Sequence, residues 1–342
     1  MSSAGLVPAV LREYGDRARV ALCDYLGPRE PKRHLYTLVA DYPWRSGRML
    51  RPALCIATAR AFGAKLEEAL ASAVALELLH NAFLVHDDVE DESEERRGRP
   101  TLHALHGAAV AINVGDALLL LGLRALLDNQ RVIGARLTLR VLEEAERMAR
   151  ETVEGQAIEL GWRRDNAVHV SESEYLEVIL KKTCWYSTIF PIRVGALIGT
   201  RSDAELDRFI RFGFFLGAAF QIQDDRLNLI GDHERYGKEL GGDLQEGKRT
   251  VMLIRALSVA SDDERVRLVD MLAAPRSARG AAELRWMRDL VSRYGCLEHA
   301  RDVAHALAGA AAHEFATVFA DVPDSRDKRF IEQLVRWVLE RN

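Results

Sequence analysis

Two short acidic runs carry the clearest chemistry in this 342-residue sequence. The first is Leu84-Val85-His86-Asp87-Asp88-Val89-Glu90-Asp91; the second is Phe220-Gln221-Ile222-Gln223-Asp224-Asp225-Arg226-Leu227-Asn228. Helical residues three or four apart share a face, so Asp87 projects with Asp91, and Gln221 with Asp224 and Asn228. Each set offers hard oxygen donors suited to a divalent cation. Read alone, the first run equally fits an acidic helix end entering a solvated loop, since Glu92, Glu94 and Glu95 continue it. Two such sets, each closing an apolar helical run, fit surface decoration poorly, because ionised groups beside buried stretches need partners.

The elements that position them read as helix after helix. Apolar residues recur at steps of three and four, as at Leu66, Leu70, Ala73 and Leu76, and sustained alternation is rare. Apolar runs from Ala71 to Phe83 and from Phe212 to Phe220 lead into the acidic clusters. Breaks fall at Tyr42-Pro43-Trp44, Gly98-Arg99-Pro100, Gly161 to Asn166, Gly241-Gly242, Pro275 to Gly280 and Val322-Pro323-Asp324. None is long enough for a linker, and no fixed-period repeat occurs, so residues 1–342 are expected to form a single large all-α helical domain. If a boundary existed, it would fall between Ala273 and Ala282.

Composition narrows the partners. With 48% hydrophobic and 29% charged residues the chain can bury a sizeable core, and a net charge of −4 gives no overall basic field for nucleic acid or an acidic membrane. Any anionic ligand must be held by local clusters. Cys23, Cys55, Cys184 and Cys296 are too dispersed for a zinc site or disulfide framework and read as buried thiols in a reducing compartment. The N-terminal residues lack a secretory pattern, and the apolar stretch Ala108 to Leu123 falls short of the ~20 residues that span a bilayer. A cytoplasmic protein without stable membrane insertion is expected.

The clusters and their surroundings resemble the trans-isoprenyl diphosphate synthase (polyprenyl synthetase) family. The likeness runs from Gly47-Arg48-Met49-Leu50-Arg51-Pro52, through Asp87 to Thr101, Gly155-Gln156-Ala157-Ile158-Glu159, Lys182-Thr183 and Phe220 to Asp232, to Gly241-Gly242-Asp243-Leu244-Gln245-Glu246-Gly247-Lys248. His80-Asn81-Ala82-Phe83, and Glu90-Asp91 followed by Ser93, are most similar to geranylgeranyl diphosphate synthases. The resemblance implies an isoprenoid synthase type fold, a helical bundle around a central cavity, and a homodimer. It also implies condensation of isopentenyl diphosphate with dimethylallyl, geranyl or farnesyl diphosphate.

By the same resemblance, Asp87, Asp88, Asp91 and Asp224 would hold three Mg²⁺ ions around the allylic diphosphate, with Asp225, Asn228, Gln156 and Glu159 in support. Arg96, Lys182, Lys238 and Lys248 would grip that diphosphate, and Thr183 and Gln221 would orient the cation left behind. Arg48, Arg51, His80 and Arg97 would hold isopentenyl diphosphate. Each cation alone reads as a solvated surface charge, and His80 as a core histidine; the acidic clusters shift that balance. Gly242 to Arg249 nearly fits a phosphate-binding loop, but Arg249 stands where Ser or Thr is needed and the preceding segment is not strand-like.

Asn228 replaces the third acid of the second motif, and Arg226 has no evident role from sequence. Ala82 and Phe83, five and four positions before Asp87, mark where the family limits the growing tail. A small Ala82 with Phe83 points to a C20 product, with C15 and C25 as alternatives. The rivals are a class I terpene cyclase, opposed by Arg48, Arg51 and Arg97, and a non-catalytic partner subunit, opposed by the intact first motif.

Overall fold

The computed structural model describes residues 5–45, 47–202, 205–230 and 241–340. Its main helices are α1 (Leu6–Leu26), α2 (Leu50–Ala61), α3 (Leu66–Glu90), α4 (Ala108–Asp128), α5 (Ala135–Arg164), α6 (Glu172–Ile179) and α7 (Phe190–Thr200). They continue as α8 (Phe209–Ile230), α9 (Gly242–Glu246), α10 (Val251–Val259), α11 (Asp262–Ala273), α12 (Ala281–Arg293), α13 (Cys296–Val318) and α14 (Arg326–Glu340). The described strands form one small antiparallel hairpin, β1 (Glu95–Arg96) with β2 (Arg99–Pro100). This all-α architecture is the one expected from the apolar periodicity.

Helix α3 is apolar almost all round and accordingly central, packed on α2 and α4. Its start is fixed by the Glu68 carboxylate, which accepts from the Lys65 amide at 2.8 Å, and Glu67 and Glu68 suit the positive end of the helix dipole. Its other end is adverse: Asp87, Asp88 and Glu90 crowd the negative end. Helix α8 repeats the arrangement, with Asp224 and Asp225 in its last two turns. Both acidic ends therefore need compensating partners from neighbouring elements.

Between α6 and α7 the chain runs without a break through a π-helix, Leu180–Ile189, which carries Lys182 and Thr183. Wider turns of this kind gather at functional sites. Gly155 of α5 makes room for this one: a Cβ there would lie 2.3 Å from the Lys182 amide nitrogen. The other side packs on α8. Arg193 of α7 donates to Glu144 of α5 at 2.6 and 2.8 Å. Asp327 of α14 accepts from Tyr14 of α1 and, at 3.0 Å, from Arg60 of α2. These ties hold the outer helices around the core.

Several boundaries differ from the sequence reading. Tyr42-Pro43-Trp44 lies within a short helix, Asp41–Trp44, because proline is compatible with a first helical turn. Helix α5 continues through Gly161 to Arg164, and α4 runs past Leu123 to Asp128. Leu66–Glu90 and Ala108–Ile133 are thus long and apolar enough by composition to cross a membrane, although 72% of the first one's apolar window is buried inside the fold. Cys23 is exposed, whereas Cys55, Cys184 and Cys296 are buried, and all four are free thiols. An apolar stripe faces outward on α4, at Ile112, Leu120, Leu123 and Leu127, and Leu139 of α5 is also exposed.

The Gly155 contact gives a direct test of this packing. Gly155→Ala forces backbone apart where no flexible side chain can yield, and is expected to cost about 1–3 kcal/mol in urea unfolding.

Candidate active site

A cavity of about 980 Å³ opens among α3, α5, the π-helix and α8. Asp87 and Asp224, from the two acidic helix ends, both line it, so the two clusters address one space. Gln156, Glu159, Gln221, Asp225, Lys182, Thr183 and Lys248 also line it. Lys238 lies outside the described residues.

Cations from several elements neutralise the α3 end. Lys182 Nζ stands 2.5 Å from Glu159 and 3.3 Å from Asp87. Burial pulls the Lys182 ammonium pKa down, but Glu159 and Asp87 outweigh it and hold the group above its usual range. Arg96 reaches Asp87 at 3.3 Å and grips Asp88 through both Nε and Nη2. Asp88 also accepts from the Tyr42 hydroxyl and is fully buried, away from the cavity wall. Asp91, likewise buried, pairs with Arg163 at 2.5 Å and Lys248 at 2.6 Å. Arg163 additionally donates to the Glu90 carbonyl at 2.8 Å. Sequence spacing placed Asp87 and Asp91 on one face, but it did not reveal Arg163, which arrives from α5.

At the α8 end, Asp225 is buried and accepts from Tyr175 Oη and Gln221 Nε2, each at 2.7 Å. Burial above all, with Asp224 adding repulsion, raises its pKa to about 6 against the opposing pull of those two donors. Asn228 turns its side-chain oxygen to the Asp243 amide at 3.1 Å, and its carbonyl accepts from the Gly241 amide at 2.8 Å. The amide thus fixes the Gly241-Gly242-Asp243 turn and brings Asp243, to which the sequence reading gave no role, onto the cavity wall. Arg226 is explained by packing: it donates to the Leu297 carbonyl at 3.2 Å and to Gln223 at 2.7 Å, tying α8 to the start of α13.

A second cationic cradle stands at the α2 end of the cavity, where Arg48, Arg51, His80 and Arg97 all reach the wall. Arg51 meets His80 Nε2 at 3.2 Å and Ser187 at 2.8 Å, while its buried Nε has no protein partner among the described residues. Arg97, on a left-handed backbone with φ of 55°, donates to the Arg45 carbonyl at 3.0 Å. Burial lowers its pKa; Glu77 opposes this, and Arg96, Arg51 and Arg45 add to it. Gly47 lets the Arg97 guanidinium lie close: a Cβ there would come within 3.1 Å of it. Crowded cations with an unsatisfied donor form a ready anion site. Arg48 lies over the Trp337 ring at 5.7 Å.

Away from these charges the wall turns apolar. Phe83 lines it, whereas Ala82 is fully buried in the core and does not. The reason is helical phase: Phe83 sits four residues before Asp87 and shares its face, and Ala82 is rotated off it. Leu84, Leu119, Val153, Ile179, Phe220 and Tyr186 are among the apolar side chains that line the rest.

Among the described residues, no group of three or more His, Cys, Asp or Glu side chains is drawn together tightly enough to hold an ion alone. Separated carboxylates facing a cavity suit magnesium, which takes one or two carboxylates and completes its shell with substrate phosphate and water.

Comparison with known proteins shows both a family and a shared fold. Residues 32–288 match the family model described as Polyprenyl synthetase. A short chain isoprenyl diphosphate synthase from Methanothermobacter thermautotrophicus is 32% identical over 301 residues, covering 86% of this chain and 87% of that one. The crystal structure of geranylgeranyl pyrophosphate synthetase from Pyrococcus horikoshii superposes with a TM-score of 0.86 at 28% identity, covering 100% of both chains. Polyprenyl synthase from Caulobacter crescentus, complexed with calcium and isoprenyl diphosphate, gives 0.85 at 27% identity over 99% of this chain and 98% of that one.

Asp225 supplies a pH test. Its folded pKa is raised above the unfolded value, so its contribution to stability is present at low pH and lost as pH rises from about 4 through about 6. In EDTA, Asp225→Asn is expected to gain stability relative to the parent across that window, read by urea unfolding at its two ends; parallel curves would contradict the burial argument.

Proposed function

The chain belongs to the polyprenyl synthetase family, and on that premise we propose that it is a head-to-tail trans-prenyltransferase making geranylgeranyl diphosphate. It condenses isopentenyl diphosphate with dimethylallyl, geranyl or farnesyl diphosphate. The observation that carries this reading is a single cavity with acids from two helix ends, a separate cationic cradle at Arg51 and Arg97, and an apolar remainder.

The chemistry assigns work to each part. The allylic C–O bond breaks and its electron pair leaves with pyrophosphate; the isopentenyl double bond attacks the allylic carbon; a proton then passes from the new chain to pyrophosphate. Mg²⁺, three ions by family resemblance, would supply Lewis-acid neutralisation of the leaving group. Asp87, Asp91 and Asp224 would hold it, with Asp88, Asp225, Gln156, Glu159 and Asp243 setting their orientation and charge. Lys182, Arg96 and Lys248 neutralise carboxylates in the ligand-free protein and turn to diphosphate oxygens when substrate arrives. Arg48, Arg51, His80 and Arg97 keep isopentenyl diphosphate apart from the metals, so ionisation and attack occur at fixed separation. Thr183 and Gln221 orient the allylic cation.

The second cradle favours this reading over a terpene cyclase, which has no isopentenyl diphosphate to hold, and the retained aspartates favour it over a non-catalytic subunit. C15 and C25 products are the alternatives in chain length. The outward apolar stripe on α4 supports a homodimer. A cytoplasmic setting without membrane insertion or nucleic-acid binding accords with the −4 net charge and the burial of most of α3.

With Mg²⁺ and labelled isopentenyl diphosphate, farnesyl diphosphate should be elongated by one unit, and EDTA should abolish the reaction. Asp87→Ala or Asp224→Ala should each lower turnover by several orders of magnitude; unchanged turnover in either contradicts the metal assignment. Arg97→Ala should raise KM for isopentenyl diphosphate by roughly tenfold or more, as expected for one lost charged contact, with little change in KM for the allylic partner. A cyclised hydrocarbon in place of a longer diphosphate would favour the cyclase.

A further inference from the structure

We propose that Arg45 is a positioning residue that fixes both diphosphate sites at once, an inference that rests on the prenyltransferase reading above. The two sites share one small element. Arg96, which grips Asp88 and reaches Asp87, and Arg97, of the isopentenyl cradle, are consecutive residues of the β1–β2 hairpin. Lys182 and Arg51 reach the two sites from separate elements, the π-helix and α2. Arg96 pairs with Arg99, so Arg97 and Gly98 form a two-residue turn, with φ of 55° and 70°. Positive φ at both central residues marks a type I′ hairpin, which favours Asn, Asp and Gly. Arginine is strained there, and strands of two residues each are too short to hold such a turn alone. Whatever seats the two guanidiniums must act from outside the hairpin.

Arg45 does so. It follows the short helix Asp41–Trp44, is 4% exposed, and does not line the cavity. Its Nη1 donates to the Arg96 carbonyl at 2.9 Å and the Arg99 carbonyl at 3.3 Å, and its Nη2 to the Pro100 carbonyl at 2.8 Å. Asp41 accepts from Nε at 2.7 Å and neutralises the buried charge, and the guanidinium carbon lies over the Tyr42 ring at 4.3 Å. The contacts run in both directions. Arg97 donates back to the Arg45 carbonyl at 3.0 Å, Arg99 pairs with Asp41 at 3.0 Å, and the Tyr42 hydroxyl donates to Asp88, the acid that Arg96 grips. A planar fork of five N–H donors can span three carbonyls and a carboxylate; an ammonium, donating from a single point, cannot. One buried side chain therefore sets where a cation of each diphosphate site stands.

The test uses the full-length protein with Mg²⁺, labelled isopentenyl diphosphate and farnesyl diphosphate. Arg45→Ala should raise KM for both substrates together, each by roughly tenfold, as expected when one charge-assisted contact per site is weakened. A merely structural role would lower the folded fraction, and with it turnover, and would leave both KM values where they are. Arg45→Lys keeps the charge without the fork and should raise both KM values as well. If a folded variant is too slow for KM, calorimetry with each substrate takes its place. Hydrogen exchange gives a second readout: the Thr101 amide, which donates to the Glu94 carbonyl at 2.9 Å and closes the hairpin, should exchange roughly tenfold faster in either variant, while α13 keeps parent rates. A rise in one KM alone, parent-like values in a folded variant, or rescue of both by Arg45→Lys overturns the proposal. So does failure of both variants to fold, which assigns Arg45 to the fold alone. Should the parent itself elongate nothing, the prenyltransferase reading fails separately. The seat is then read by exchange, and parent-like protection of Thr101 in the variants overturns it.

Discussion

Negative charge stacked on the negative ends of two buried helices is the constraint from which the rest follows. Carboxylates at a helix C-terminus oppose the peptide dipole, and α3 ends on Asp87, Asp88 and Glu90. Helix α8 places Asp224 and Asp225 in its last two turns. The α3 end is compensated by cations from other elements, Arg96 from the hairpin, Arg163 from α5, Lys182 from the π-helix and Lys248 from beyond α9, whereas Asp225 of α8 is held by the neutral donors Tyr175 and Gln221. The requirement for charge compensation thus draws distant parts of the chain to one place.

The cavity divides by polarity along its length. Acids and their cations occupy one end, the arginine cradle a second region, and aliphatic and aromatic side chains the remainder. That division matches substrates with a diphosphate head and a hydrocarbon tail. It also separates the two anions: Arg51 and Arg97 are crowded with each other and with Arg45 and Arg96, whereas Lys182 sits among carboxylates.

Much of this was legible in the sequence. Three- and four-residue periodicity gave the helices, and the spacing of Asp87, Asp91, Gln221 and Asp224 exposed the acidic faces because a helix converts local spacing into direction. Long-range features were hidden. Nothing local marks Arg163 as the partner of Asp91, or Asn228 as the acceptor for the Asp243 amide, since both depend on elements meeting in space. The π-helix is set by packing against α5 and α8, and its residues read as ordinary helix. Ala82 was legible in principle: the same phase rule that pairs Asp87 with Asp91 assigns the cavity face to Phe83.

The mutual neutralisation of Lys182 with Asp87, and of Lys248 with Asp91, has a thermodynamic corollary. A divalent ion at Asp87 would draw that carboxylate from Lys182 and leave the ammonium to Glu159, and a diphosphate on the ammonium would in turn free Asp87 for the ion. Joint arrival would satisfy these charges more fully than either ligand alone. On the proposed function the two ligands would thereby be linked reciprocally, each raising the affinity of the other by the same factor, and a side-chain ion pair already present in the ligand-free protein would be the source of positive cooperativity between head group and metal.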